Sequence, residues 1–307
     1  LGTFGAAAAA GTLLDLGPEA MARALAIAAS MSSGIKANFA TDCKPWHGGH
    51  AARCGLEAAQ LAAAGFTANP YVLEHGGGFG STHGGGMKPH WELTVAGLGA
   101  PHEVATPGIG VKRFPACAST HQALDAVLDL VGTHTIDPAS VASVECGVSY
   151  LAPHQLIYDH ATTGLQGKFS MPYCVSVALL DRTVGLAQFA DERVRRDDVQ
   201  ALMPKVRMFV HPEQTTRESL PNRFSEVTVR LTDGRTLVKR VDQAKGQPRN
   251  PLTDADLEVK FRDAAGRVLS ADRVDALLAA LQELETAADV RVVARLLSGK
   301  LQVTGEQ

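Results

Sequence analysis

The sequence predicts an α+β protein in which a mostly helical, discontinuous bundle domain surrounds a smaller inserted α+β domain. Three observations carry this reading. The first hundred residues show Ala-rich helical periodicity, the middle of the chain shows period-two alternation and a hairpin turn signal, and helical periodicity returns from Pro251 onward. The boundaries that follow are 1–106 for the first part of the helical domain, 107–248 for the α+β domain and 249–307 for the return to the helical domain.

The segment Gly5 to Leu14 is Ala-rich, and its small side chains suit close helix contacts better than an exposed face. Gly17-Pro18 opens a second helix, with proline at its favoured first position and Met21, Leu25 and Ala28 at helical spacing. A third helix is expected from about Gly49 to Ala64, carrying Leu56, Ala59 and Ala63 on one side, with Gly65 as a left-handed stop. The stretch HGGGFGSTHGGG, residues 75–86, holds too many glycines for a helix or a central strand and reads as a flexible loop. No strand precedes it and no acidic residue follows at the required distance, so it is not a dinucleotide fingerprint.

After Pro107 the pattern changes. Thr120 to Leu130 reads as an amphipathic helix with Ser119 as its cap, and Val144, Cys146 and Val148 alternate with Glu145, Gly147 and Ser149 as in a half-buried strand. A helix follows over about Ser170 to Leu180. Farther on, EVTVRL and TLVKR flank Asp233-Gly234, a hairpin signal. From Pro251 the stretches TDADLEVKFRDAAG and SADRVDALLAALQELE begin with Thr or Ser caps followed by acids, and a last helix ends near Ser298.

Composition removes several classes of function. With 29 basic against 32 acidic residues the net charge is −3, so no global field draws the chain to nucleic acid or a membrane surface. No run of 18 apolar residues exists, so no membrane span is expected. Five cysteines, an odd number at irregular spacing without a CxxC pair, suggest neither a disulfide framework nor a zinc knuckle and fit a reducing cytoplasm. Eleven histidines include the i, i+3 pair of HGGH, yet no HExxH or acidic partner accompanies them, so no metal is expected, and no GxSxG elbow marks a nucleophilic triad. The opening LGTFGAAAAAG lacks both a starting Met and a targeting pattern and reads as an interior cut. The chain by itself is accordingly expected to fold poorly and to lack activity.

Three polar clusters remain. In TDCKPWHGGHAARCG, Lys44, His47, His50 and Arg53 crowd a helix start, where free N–H groups and partial positive charge favour a carboxylate; the alternative is a solvated helix end. In GVKRFPACASTHQALDA, Lys112, Arg113 and Cys117 lie on a loop constrained by Pro115; equally, Arg113 forms an ion pair and Cys117 is buried filler. In GKFSMPYCVSVALLD, Tyr173 sits in an apolar helix, where a tyrosine hydroxyl is usually a core group with one satisfied hydrogen bond.

Taken together, GTFGAAAAAG, TDCKPWHGGHAARCGLEAAQLAAAGF, GVKRFPACASTHQALDA, KFSMPYCVSVALLD and GQPRNPLTDADLEVKF form five ordered blocks, and this order resembles the MmgE/PrpD family over nearly the whole chain. That family contains 2-methylcitrate dehydratase and cis-aconitate decarboxylase. The resemblance implies a discontinuous helical domain with an inserted α+β lid domain, an active site in the cleft between them, a homodimer formed through the helical domain, and no cofactor. It places Lys44, Lys112 and Tyr173 at positions that line the family's site, while further acid–base residues of the family fall before residue 1. Cys117 stands where family decarboxylases and methylcitrate dehydratases tend to have His, and a thiol is a poorer proton donor to an enolate unless its pKa is matched.

The implied chemistry is proton traffic beside a carboxylate, with cations meeting the charge of an enolate-like intermediate. Lys44, Lys112, Tyr173 and Cys117 are the catalytic candidates, and His47 and Arg113 the substrate-binding ones. The first expectation is a hydro-lyase acting on a small di- or tricarboxylate. The alternatives are an epimerase, isomerase or decarboxylase on the same scaffold, or a catalytically silent helical scaffold or binding subunit.

Overall fold

A computed structural model describes residues 1–85 and 89–297. The chain divides into two compact units, Leu1–Thr106 and the residues from Pro107 onward.

The first unit is helical. It comprises α1 (Gly2–Leu13), α2 (Pro18–Met31), α3 (Cys43–Ala63) and the short α4 (Phe79–His83) and α5 (Trp91–Ala96). Its core is built mostly from alanine: Ala7, Ala24, Ala28, Ala58 and Ala62 close around Ile27, with Phe4, Leu25 and Leu61 packed at the margin. Small side chains let backbones approach closely. At Gly55 on α3, a Cβ would lie 2.5 Å from both the Ala6 Cβ and the Thr3 carbonyl oxygen of α1.

Helix α3 starts at Cys43, six residues before the expected Gly49. The Thr41 hydroxyl accepts the Cys43 N–H at 3.3 Å, and Pro45 falls in the first turn, where its missing N–H costs nothing. Glycines 48 and 49 are therefore carried inside the helix. At the other end the Gly65 N–H bonds the Ala62 carbonyl and the Phe66 N–H bonds the Leu61 carbonyl, with Gly65 at φ +83°, which is the paired closure of a left-handed glycine stop. The Gly-rich stretch is only partly a loop. Turns lead to Gly78, whose missing side chain allows the Val72 carbonyl to approach, and Phe79 then opens α4 and packs edge-on against Phe4 at 4.9 Å. An aromatic anchor thus outweighs the glycine content. Gly86, the last residue of that stretch, lies outside the described residues.

The second unit is α+β. It contains α6 (His121–Thr133), β1 (Val141–Val148), α7 (Gly164–Gly167), α8 (Met171–Asp181), α9 (Asp191–Val194), α10 (Asp197–Leu202), β2 (Val206–Val210), β3 (Ser225–Leu231), β4 (Thr236–Val241), α11 (Asp254–Ala265), α12 (Ala271–Gln282) and α13 (Arg291–Leu297). The four strands form one mixed sheet in the order β2-β1-β3-β4. β1 runs parallel to β2, with Val144 opposite Val206, and antiparallel to β3, with Cys146 opposite Val227. The β3–β4 hairpin turns at Asp233-Gly234 with Gly234 at φ +90°. Helices α6 and α8 pack on each other, α6 against β3 and β4 and α8 against β2, and Leu124, Val127, Val177, Leu179, Val144, Val227 and Val229 are all buried.

Side-chain caps open α7, α8 and α11. The Ser170 hydroxyl accepts the Tyr173 N–H at 3.1 Å, and Thr253 with Asp256 forms a reciprocal capping box on α11. Ser119 is not the cap of α6. A 3-10 turn, Ala118–Thr120, precedes that helix, and the Ser119 hydroxyl donates to Gln155 Oε1 at 2.5 Å instead. Ser270 likewise makes no capping hydrogen bond to α12. Helices α11 to α13 group with the second unit, whereas the sequence reading assigned 249–307 to the helical domain. The expected helix end near Ser298 lies outside the described residues. No described helix is long and apolar enough to cross a membrane.

Candidate active site

The loop carrying Lys112 is pinned at both ends. The Val111 N–H bonds the Gly246 carbonyl at 2.7 Å, and Gly246, at φ +93°, has no side chain to collide with the Val111 carbonyl. At the far end the Cys117 N–H bonds the Lys168 carbonyl at 2.9 Å, tying this loop to the segment that leads into α8. Within the loop, Lys112 Nζ donates to the Ala116 carbonyl at 2.9 Å, which holds the ammonium over the turn. Cys117 is buried.

Arg113 forms an ion pair. Its Nη1 lies 2.7 Å from Asp125 Oδ1, and the second oxygen of Asp125 accepts the Lys245 N–H at 2.7 Å. Burial pushes the Asp125 carboxyl above its usual range, with Arg113 and Lys245 opposing that shift. Arg113 also lies 5.0 Å from the centre of the buried Phe114 ring, so this cation braces the loop.

Tyr173 is fully buried, and its hydroxyl donates to the Gln188 carbonyl. Burial raises its pKa above the ordinary tyrosine value. Gln188 is held in turn: its amide donates to Asp181 Oδ2 at 3.1 Å and accepts the Gly185 N–H at 2.9 Å. Asp181 takes a two-pronged contact from Arg193 at 2.5 and 3.0 Å. The tyrosine position is fixed from the core outward.

Lys44 and His47 belong to the first unit, on the opening turns of α3. Lys44 Nζ stands 4.9 Å from the Phe39 ring centre, a cation–π contact. Trp46 tilts toward His47 at 5.9 Å and stacks on His50 at 4.5 Å, and His50 Nε2 lies 3.5 Å from the buried Cys54 thiol. Lys112, Arg113 and Cys117 share one loop of the second unit, and Tyr173 lies beyond the Lys168 junction. Among the described residues no three His, Cys, Asp or Glu side chains gather as metal ligands.

His121 carries no functional signal of its own in the sequence. This imidazole, at the start of α6, is 2% exposed, stands edge-on to Phe114 at 5.2 Å and has a buried Nε2 without a hydrogen-bond partner among the described residues. Its only signal was its place in the block that carries Lys112. Burial first, then the Lys112 charge, lowers its pKa from 6.5 to about 4; Lys260 adds to the fall, and the Ala116 and Phe114 carbonyls oppose it. A neutral ring adds no further positive charge beside the Lys112 ammonium.

Between about 6.5 and about 4 the unfolded chain binds a proton that the folded chain refuses, so stability falls as pH drops through that window and the loss is complete below it. The expected loss is about 3 kcal/mol, at 1.36 kcal/mol for each unit of pKa shift. Denaturant midpoints measured between pH 4 and 7 should show this slope, and His121→Gln should flatten it; an unchanged slope in that variant places the titration elsewhere.

These features define a two-unit protein of helical and α+β parts, with cations and proton donors on the loops and helix starts. Residues 1–92 match the MmgE/PrpD N-terminal domain and residues 114–286 the MmgE/PrpD C-terminal domain, and the chain belongs to the MmgE/PrpD family. Among similar proteins, the cis-aconitate decarboxylase of Homo sapiens is 32% identical over 97% of this chain and 62% of its own length. That of Mus musculus is 31% identical over 97% of this chain and 61% of its own. That of Aspergillus terreus (strain NIH 2624 / FGSC A1156) is 28% identical over 95% of this chain and 62% of its own. The chain thus spans less than two thirds of the length of these relatives.

Proposed function

We propose that this protein acts as a lyase on a small di- or tricarboxylate, breaking a bond next to a carboxylate without a cofactor. The observation that carries the proposal is the match to both family domains in order, alongside relatives named for the decarboxylation of cis-aconitate. In this reading the Lys112 ammonium meets the charge that develops on the substrate as the bond breaks, and Lys44 and His47 bind carboxylate. Cys117 and Tyr173 are the candidate proton carriers. The Tyr173 hydroxyl must leave the Gln188 carbonyl before it can serve, since one proton cannot bridge both acceptors. Arg113 acts on the substrate only to the extent that its pairing with Asp125 leaves donors free.

Two bond cleavages fit this set. In decarboxylation the bond to a carboxylate carbon breaks, carbon dioxide leaves, and the electron pair left on carbon takes a proton from the protein. In dehydration a carbon-bound proton passes to a base while the neighbouring C–O bond breaks, and the leaving hydroxide takes a proton from an acid and departs as water. The names of the relatives favour the first, whereas the sequence reading put dehydration foremost. Incubating the full-length protein in heavy water with cis-aconitate, citrate and 2-methylcitrate separates them. Carbon dioxide equal to substrate consumed marks decarboxylation, and an unsaturated acid without gas marks dehydration. Deuterium exchange with neither product assigns an epimerase and overturns the lyase reading.

A further inference from the structure

A cavity of about 780 Å³ opens in the second unit, between α6, the loop that follows α8 and one face of α11. None of Lys44, His47, Lys112, Cys117 or Tyr173 lines it. Its apolar surface comes from Phe114, Leu128 and Val131 on one side and Val184 and Leu186 on the other. The loop is stapled to α11 by the Leu186 N–H, which donates to Asp263 Oδ2 at 2.9 Å, and the absence of a side chain at Gly185 permits the approach.

Charge accounting around this cavity leaves a surplus. Of the five charged side chains that line it, Arg113 is matched by Asp125 at 2.7 Å and Asp256 by Lys245 at 2.7 Å. Asp263 is matched by Arg267 at 3.4 Å. Arg182 and Lys260 are left, and among the described residues no carboxylate lies within ion-pair distance of either. Arg182, in the left-handed conformation at φ 55°, spends two donors on the carbonyls of Val131 and Ile136, at 2.9 and 3.2 Å. Carbonyls satisfy donors but supply no full negative charge, so the guanidinium stays uncompensated. Lys260 is an exposed residue of α11 at the rim of the cavity, and its charge contributes to the low pKa of His121.

Two uncompensated cations beside an apolar wall are the complement of a small dianion with a short apolar segment. We propose that this cavity is a binding site for such a molecule, of the dicarboxylate class, with Lys260 and Arg182 as its cationic contacts. A dianion offsets the surplus, and the apolar wall distinguishes a carboxylate on a methylene body from inorganic phosphate. Arg113 and Phe114 directly follow Lys112, and Gln188, which also lines the cavity, receives the Tyr173 hydroxyl. Occupancy therefore bears on the segments that hold two of the candidate catalytic residues, but binding itself does not depend on the lyase reading.

The test is ligand binding, without turnover. The full chain, with its Leu and Val methyl groups labelled, is titrated with succinate as the dianion, acetate as the monoanion and inorganic phosphate as the dianion lacking an apolar segment. Succinate is expected to shift the methyl resonances of Leu128, Val131, Val184 and Leu186 saturably, with acetate and phosphate weaker by about tenfold or more. Lys260→Ala should weaken succinate by about tenfold and Lys260→Arg should restore it. Because Arg182 also holds backbone carbonyls, Lys260 on the exposed face of α11 carries the mutational test. Lys112→Ala should leave succinate binding at these methyls intact. No saturable shift, unchanged binding by Lys260→Ala, or phosphate binding as tightly as succinate overturns the proposal. A failure here leaves the lyase reading standing, and a protein without turnover that still binds succinate at these methyls leaves this one standing.

Discussion

Lys112→Ala is expected to lower turnover on the carboxylate substrate by at least about a hundredfold, the scale on which removing an acid–base or charge-stabilising group acts. The ammonium is placed for this by its bond to the Ala116 carbonyl and by the two backbone anchors at Val111 and Cys117. The variant has a second readout that needs no substrate. Because the Lys112 charge is one cause of the low His121 pKa, removing it should raise that pKa, measurable from the imidazole resonances as a function of pH. A raised His121 pKa with near-normal turnover would confine Lys112 to a structural role; loss of turnover together with the raised pKa supports catalysis. Arg113→Ala is a different case, since it removes the cation paired with the half-buried Asp125, so its effect on KM must be read beside its effect on stability.

Gly55→Val is expected to destabilise the first unit by about 3 kcal/mol or more, the upper range for overpacking a close-packed contact. The reason is local. A Cβ at this position meets backbone, the Thr3 carbonyl oxygen and the Ala7 nitrogen, and not only the Ala6 side chain, so relief requires α1 and α3 to separate. Separation would uncover Ala7, Ala58 and Ala62, whose burial is the core of the unit. The control is Gly48→Ala on the same helix, where an added Cβ meets nothing within 4 Å. That change should stabilise by up to about 1 kcal/mol through helix propensity and the smaller entropy of the unfolded chain. Denaturant melts of the two variants check the pair, and equal midpoints would show that the α1–α3 contact does not limit stability.

Several features of this protein are determined by the sequence alone because their causes lie within a few residues of their effects. Pro18 at the start of α2, the Gly65 stop of α3, the Asp233-Gly234 turn and the Thr253 and Asp256 capping box each act through backbone dihedrals or hydrogen bonds spanning at most five residues. The family was legible for a related reason, since five blocks in fixed order are a linear pattern. Tertiary structure decided the rest. The pairing of β2 with β1 brings Val206 to Val144, and no local period announces a partner sixty-two residues away. Ser119 has the composition of a cap, yet its hydroxyl goes to Gln155, thirty-six positions on. Arg113 suits either a ligand for carboxylate or half of an ion pair, and the fold chose Asp125 on α6, twelve residues on in sequence. The state of His121 was invisible in the chain, because a pKa of about 4 arises from burial and from the charges of Lys112 and Lys260, which only folding brings to one ring. Propensity is a property of neighbours in sequence, whereas desolvation and charge pairing are properties of neighbours in space.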